Sequence, residues 1–425
     1  MRFKKRVTVW DRHPSAQARV GGCGSLRHRR GAGMEIGMDE DGKLAPSTVG
    51  TTGSGAPDMD WALSRLEELV RLESPSSDRD ASHAITENLA AGFEDIGGTV
   101  QRFAFEGGQH LVIDLPGEGE PLLLVGHSDT VWARGTIDGE VPWSNDGTVV
   151  RGPGAYDMKS GLVVMEAALR RVDPSRRRRV RVLITADEEI GSPDGSSVVR
   201  AAVKGVSGAL GFEAPHPDGA FKIGRRGSTR VLLEVTGVAA HAALDPEAGV
   251  SAIEELIDQL HAVTDKVRQV SASGTEVLLN IGTISGGTQA NVVPDRAEAL
   301  LGLRFLDGSS EAEVLGSIDS LTPVRPRAGV TATRLSMRPA WAADEGDRAL
   351  LQEIATIASG LGIACAARPA AGAGDLNLIG ALGVPSLDGF GPVGGGAHAV
   401  DEHLEVASMA ERIQLVTAIV GAPSA

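Results

Sequence analysis

The chain has 425 residues, 41 Lys and Arg against 56 Asp and Glu, a formal net charge of −15 and two cysteines. Single hydrophobic cores stop growing at about 250–300 residues, so this length predicts two domains. Cys23 and Cys365 are too few for a disulfide framework or a thiolate zinc site and fit a reducing compartment such as the cytoplasm; an apolar fraction of 42% excludes a wholly disordered chain, and the acidic balance speaks against nucleic acid as a partner.

Residues 1–33 carry nine Lys and Arg and one acid, Asp11, a net of +8 that leaves −23 for the remainder. Arg12, Arg19 and several glycines interrupt every apolar run, so this start lacks the apolar h-region expected of a signal peptide. It reads as a disordered tail, or as sequence upstream of a true start at Met34 or Met38. Residues 39–57 are polar and rich in Gly, Ser and Thr and read as a linker. No apolar stretch reaches the roughly 18 residues that a membrane-spanning helix needs.

A helix is predicted to open at Asp58–Asp60, where Trp61, Leu63, Leu66, Leu69 and Val70 recur at helical spacing, and a second covers about 81–93. Short apolar runs over 100–105, 110–115 and 122–125 read as strands. A helix over 158–172 and strands over 180–185 and 208–212 follow, and this alternation predicts an α/β domain with a mostly parallel sheet and helices on both faces. The run Arg176–Arg179 reads as a solvated connection. From Gly224 the pattern changes. Strands at 229–236, 277–284, 297–305 and 329–335 and helices at 248–270 and 310–320 give a β-α-β-β-α-β order, the ferredoxin-like split motif, with one sheet face under two helices. A helix to about Leu361, a strand and a glycine-rich segment then resume the first pattern. The boundaries read 58–223 and 337–425 for one domain, with 224–336 inserted in it.

Acid and histidine clusters follow the predicted strands, where open α/β sheets carry their sites. The first is Gly126-His127-Ser128-Asp129. In an extended segment i and i+2 point the same way, so Asp129 can accept from one ring nitrogen of His127 and leave the other for a metal. Asp157 ends a glycine-rich turn ahead of a helix, where an N-cap aspartate is the plainer reading. Asp187-Glu188-Glu189 ends a buried strand, a costly position for three acids without compensating cations. Glu213 follows another strand, and His398 lies in a glycine-rich loop. Imidazoles and carboxylates without thiolates suit zinc or a similar ion, and five ligands with one bridging carboxylate suffice for two metals.

The stretches GHSDTV, GPGAYDMKSGL, TADEEIGS, GFEAP and GPVGGGAHAVDE, in this order over residues 58–425, resemble the M20 family of dinuclear zinc peptidases, and most nearly its glutamate carboxypeptidase branch. The resemblance implies a catalytic α/β domain with a ferredoxin-like lid that also dimerises. It implies two zinc ions per subunit, one on His127, Asp157 and Glu213 and the other on Asp157, Glu189 and His398, with Asp157 bridging. Glu188 would be the general base and Asp129 the residue that orients His127. A cis peptide bond would follow Asp157. In the lid, His241 would enter the partner subunit's site, Asn291 would lie near the scissile group, and Arg338, assisted by Arg304, would hold a substrate carboxylate. Gly374-Asp375-Leu376-Asn377 departs from the family's usual Ser/Thr-Asp-Gly/Ala pattern. The implied activity is hydrolysis of an amide bond to an amino acid with a free carboxylate, in a small peptide or an N-acyl amino acid. An aminoacylase is the alternative. A metal-binding non-enzyme would have lost a ligand or the base, and all are present. A dinucleotide-dependent oxidoreductase lacks its glycine fingerprint.

Overall fold

The structure is a computed structural model and describes residues 55–76 and 78–422. The basic tail and most of the linker read from the sequence lie outside these residues. In chain order the elements are α1 (Met59–Arg71), α2 (Arg79–Glu94), β1 (Thr99–Phe105), β2 (Gly108–Leu115), β3 (Glu118–His127), β4 (Ser144–Asn145), β5 (Val149–Arg151), α3 (Ser160–Arg170), β6 (Arg178–Thr185), α4 (Gly195–Ala202), β7 (Gly208–Gly211) and β8 (Phe221–Arg225). Then come β9 (Gly227–Thr236), α5 (Ala252–Ala272), β10 (Val277–Gly286), β11 (Arg296–Phe305), α6 (Gly308–Asp319) and β12 (Gly329–Arg338). The chain closes with α7 (Glu345–Gly360), β13 (Ala367–Ala370), α8 (Leu376–Ala381), β14 (Ser386–Asp388), β15 (Gly394–Gly395), β16 (His403–Glu405) and α9 (Val406–Gly421).

The large sheet has the order β1-β2-β6-β3-β7-β14-β8-β13, and its central strands β6, β3, β7 and β14 are mutually parallel. These strands read as unbroken apolar runs because both faces are covered. Along β3, Leu122 and Leu124 join a core with residues of α1, α2, α3, α7 and α9, while Leu123 and Val125 join a second one with residues of α4 and α8. The mixed α/β fold with helices on both faces is the one expected.

The chain leaves this sheet after Arg225 and returns at Trp341, and these two residues exchange backbone hydrogen bonds of 2.8 and 3.0 Å. Between them β9–β12 form an antiparallel sheet in the order β10-β11-β9-β12. Val231, Leu233 and Val235 of β9 pack with Leu256, Leu260 and Val263 of α5 and with Val314 and Leu315 of α6, which leaves the opposite sheet face uncovered by these helices. The helix expected from residue 248 starts four residues later, at Ala252, because Ser251 is its N-cap and accepts from Glu254 N.

A third small sheet, β15-β16-β5-β4, joins two loops that are distant in sequence. The Arg176–Arg179 run is not a solvated connection throughout. Arg177 and Arg178 are buried, Arg177 donating to Pro116 O at 2.9 Å and Arg178 pairing with Glu353 at 3.2 Å. Only the second half of the run belongs to β6, which starts at Arg178, so Arg178 turns inward and Arg179 outward, while Arg177 just ahead of the strand is buried through its bond to Pro116. No helix among the described residues is long and apolar enough to cross a membrane.

Candidate metal centre and active site

Three neighbouring parallel strands end at the same rim. His127 is the last residue of β3, Asp187, Glu188 and Glu189 follow β6, and Glu213 follows β7. Asp157 comes from the turn after β5, and His398 from the loop between β15 and β16. The Asp157–Met158 peptide bond is cis, as the resemblance implies.

Asp157 lies between the two histidines. Its Oδ1 is 3.4 Å from His127 Nε2, and its Oδ2 is 3.3 Å from His398 Nε2. Glu213 Oε1 lies 3.5 Å from His127 Nε2, and Glu189 Oε2 lies 3.1 Å from His398 Nε2. The structure thus brings together His127, Asp157, Glu189, Glu213 and His398. Ligand atoms of His127, Asp157 and Glu189 all lie within 4.8 Å of one another.

This donor set fits a divalent ion. His127 Nδ1 is 3.0 Å from the main-chain oxygen of Asp129, which can only accept, so Nδ1 carries a proton. Nε2 is buried without a hydrogen-bond partner, and so is Glu189 Oε1. A bare Nε2 lone pair facing two carboxylates is repelled unless a proton or a metal cation lies between them. Around a tetrahedral ion with bonds near 2.0–2.2 Å, donor atoms stand about 3.3–3.6 Å apart. The observed separations fall in or just below that range.

The three successive acids divide their tasks. Asp187 Oδ2 accepts from Asp194 N and Gly195 N at 2.8 and 3.0 Å, and burial lifts its pKa to about 6. Glu189 faces His398. Glu188, buried beside the pocket, is pushed up to about 8 by burial, against the pull of His127 and Arg338. Burial likewise lifts Glu189 to about 7, and the Asp157 carboxylate raises His398 to about 9. Burial opposes a charge on His127, yet Asp129, Asp157 and Glu213 hold its pKa well above the usual imidazole value. The cluster has more acid than its own histidines neutralise.

Asp129 does more than face the ring of His127. Its Oδ1 is 3.4 Å from His127 Nδ1, farther than its own main-chain oxygen. Its carboxylate accepts from Glu188 N and Glu189 N, both at 3.1 Å, and from Ser76 Oγ at 2.6 Å. It therefore ties the turn after β6 to the turn after β3.

A pocket of about 700 Å³ opens above these residues, with Asp157, Glu188, Glu189, Glu213 and His398 on one side. Lys222, Arg225, Arg230, Arg304 and Arg338 also line it. Arg225 pairs with buried Asp388. Arg338 donates to the Glu188 carboxylate and carbonyl, to Ala373 O at 3.1 Å and to Ser192 Oγ at 3.3 Å. His241 and Asn291 do not line the pocket of their own chain. They sit together in the loops at the ends of β9 and β11, where Ala242 N donates to Asn291 O at 3.0 Å, and both are exposed.

Sequence reasoning missed Lys222 and Arg230, which lie outside every motif. It also left Glu402 without a task, although the motif around His398 ends on it. Glu402 is fully buried, and its carboxylate accepts from Trp132 Nε1, Gly154 N, Tyr156 N and Asp157 N at 2.6–3.1 Å. A second acid so close to His398, in a tight glycine loop, was the available signal.

The model of peptidase family M20/M25/M40 matches residues 123–422. The chain belongs to this family. Among M20 relatives, it is 25% identical over 370 residues to carboxypeptidase G2 of a Pseudomonas species, covering 84% of this chain and 88% of that one. It is 28% identical over 383 residues to succinyl-diaminopimelate desuccinylase of Gluconacetobacter diazotrophicus, covering 84% and 96%. The fold is similar to that of aminopeptidase PepT from Bacillus cereus, with a TM-score of 0.66 at 21% identity over 86% of this chain and 99% of that one. Membership in M20 supports a metal-dependent hydrolase acting on peptide or acyl-amino-acid amides.

Proposed function

We propose that this M20 hydrolase is a carboxypeptidase-type enzyme that uses two zinc ions to cleave an amide bond to an amino acid with a free carboxylate. The observation that carries this reading is Asp157, whose two oxygens face different histidines at 3.3 and 3.4 Å. His127, Asp157 and Glu213 would hold one ion, and Asp157, Glu189 and His398 the other. When bound, zinc supplies Lewis acidity, lowering the pKa of water and polarising the scissile carbonyl. Glu188 takes the proton of the attacking water and returns it to the leaving amine.

Arg338 receives the substrate carboxylate, assisted by Arg304, and Lys222 and Arg230 add positive charge to the same pocket. The carboxylate competes with Glu188 for the Arg338 fork, so its arrival frees the base for proton transfer. His241 acts from a partner subunit, through a homodimer formed by the lid of residues 224–336, and Asn291 lies near the scissile group; that neither lines the pocket of its own chain supports this reading.

The deacylase reading rests on the similarity to the desuccinylase. A panel of N-acyl glutamates, dipeptides and N-acetyl amino acids, assayed by amine release with zinc-loaded protein and again after chelation, separates the two. Release from peptides and N-acyl glutamates, lost on chelation, is the expected outcome. Release from N-acetyl amino acids alone favours the deacylase. No release from any member of the panel overturns both.

A further inference from the structure

The residues proposed as ligands come from loops that must be held to a few tenths of an ångström. Asp157 leaves β5 through the turn of Gly152–Asp157, and His398 sits in the hairpin loop between β15 and β16. The small sheet lays these segments side by side. β16 pairs with β5 on one edge, with Leu404 opposite Val150, and with β15 on the other. This pairing aligns the strands but does not reach the tips of the loops.

Glu402 spans that gap. It immediately precedes β16, and its own N–H donates to Ala399 O at 2.9 Å, so it belongs to the His398 loop. Its side chain crosses to the other loop. Oε1 accepts from Tyr156 N and Asp157 N at 2.9 and 3.1 Å, and Oε2 accepts from Gly154 N and Trp132 Nε1 at 3.0 and 2.6 Å. Three backbone N–H groups thus converge on one carboxylate, the kind of concavity that holds an anion. Gly154 makes this possible. It has φ +71°, and a Cβ there would lie 2.4 Å from Thr130 Cγ2.

We propose that Glu402 is a positioning residue of the metal centre, holding the backbone of Asp157 so that its carboxylate stays between His127 and His398. The inference rests on the reading of Asp157 and His398 as ligands. Glu402 touches neither the metal nor the substrate and acts through Asp157. The alternative is a purely structural acid that steadies the small sheet. The two differ in what happens to the folded protein. A structural acid changes the melting temperature alone, whereas a positioning acid changes how the folded protein holds zinc and how fast it turns over.

Glu402→Gln keeps the shape but turns one acceptor oxygen into an amide donor that faces two donors. Glu402→Asp keeps the buried charge but draws it back by one methylene. Zinc binding by the full-length chain is measured by equilibrium dialysis at 25 °C, with kcat, KM and the melting temperature of the zinc-free protein measured alongside. Partners that support metal ligands are typically worth 10–100-fold in affinity or activity. The folded variants are expected to lose zinc affinity and kcat by that factor, with KM within about threefold of wild type. Folded variants that match wild type in zinc affinity and kcat overturn the proposal, whatever their melting temperature. If both variants fail to fold, the role is structural and the proposal is again overturned. A wild-type chain that binds no zinc overturns the two-zinc reading itself, a result visible before any variant is made.

Discussion

Replacing Asp129 tests how the centre is built, because one buried carboxylate serves two turns. In Asp129→Ala, Glu188 N and Glu189 N both lose their acceptor, and Ser76 loses its partner. A buried donor left unsatisfied costs about 1–3 kcal/mol, so the two N–H groups set a loss of about 2–6 kcal/mol. Asp129→Asn is milder. Its amide nitrogen can turn toward Ser76 Oγ, which is able to accept, so only Glu189 N then faces a donor, at about 1–3 kcal/mol. The assay is denaturant unfolding of both variants with chelator present, so that metal binding adds nothing to the native state. His127 keeps its tautomer in either variant, because the nearer partner of Nδ1 is a main-chain oxygen. Zinc affinity in Asp129→Asn should therefore stay within about tenfold of wild type, against a 10–100-fold loss in Asp129→Ala. An alanine variant within about 1 kcal/mol of wild type in chelator would refute the reasoning, since the two N–H groups would then have found other partners.

Glu188→Gln should keep its zinc and lose about 10²–10⁴ in kcat, read by metal analysis and amine release; more than a tenth of wild-type turnover would remove it from the base role. Arg338→Ala should cut kcat/KM for an N-acyl amino acid by about 10–100-fold while leaving the matching carboxamide no slower than in wild type, because Glu188 is no longer held. An equal loss on both substrates would contradict the competition between Glu188 and the substrate carboxylate. His241→Ala should be inactive with full zinc content, and mixing it with Glu188→Gln should restore about a quarter of wild-type activity if dimers re-pair at random. A fully active monomer ends the idea that His241 acts on its partner.

The sequence carried the site through local signals. Buried strands read as apolar runs, and the acids after them had no cheaper explanation than a cation. The split β-α-β-β-α-β order was legible because its strands alternate cleanly, as Val231, Leu233 and Val235 do. Other parts left little trace. Strands of two or three residues, such as β4 and β15, have no period to detect. α9 buries Met409, Arg412, Ile413, Leu415, Val416, Thr417, Ile419 and Val420, so it shows no single apolar stripe and was passed over. Lys222 and Arg230 gain their meaning from the pocket that the fold assembles around them, and nothing beside them in the chain marks it, while Glu402 had only its closeness to His398 as a signal. Arg338 was read as a group waiting for substrate, and only the fold shows its fork engaged by Glu188.

The place of β14 in the large sheet has a consequence for synthesis. β14 lies between β7 and β8, yet it is made only after the entire inserted sheet. Chains are made from the N-terminus and fold in units as they emerge. A growing chain therefore carries His127, Asp157, Glu188, Glu189 and Glu213 with the outer edge of β7 bare and without His398 to face Asp157. An open parallel edge is a template for aggregation. A chain that ends between Glu213 and Ser386 therefore carries the acid cluster beside an unpaired β7 edge and lacks His398, so the centre is assembled only once the last strands have been made.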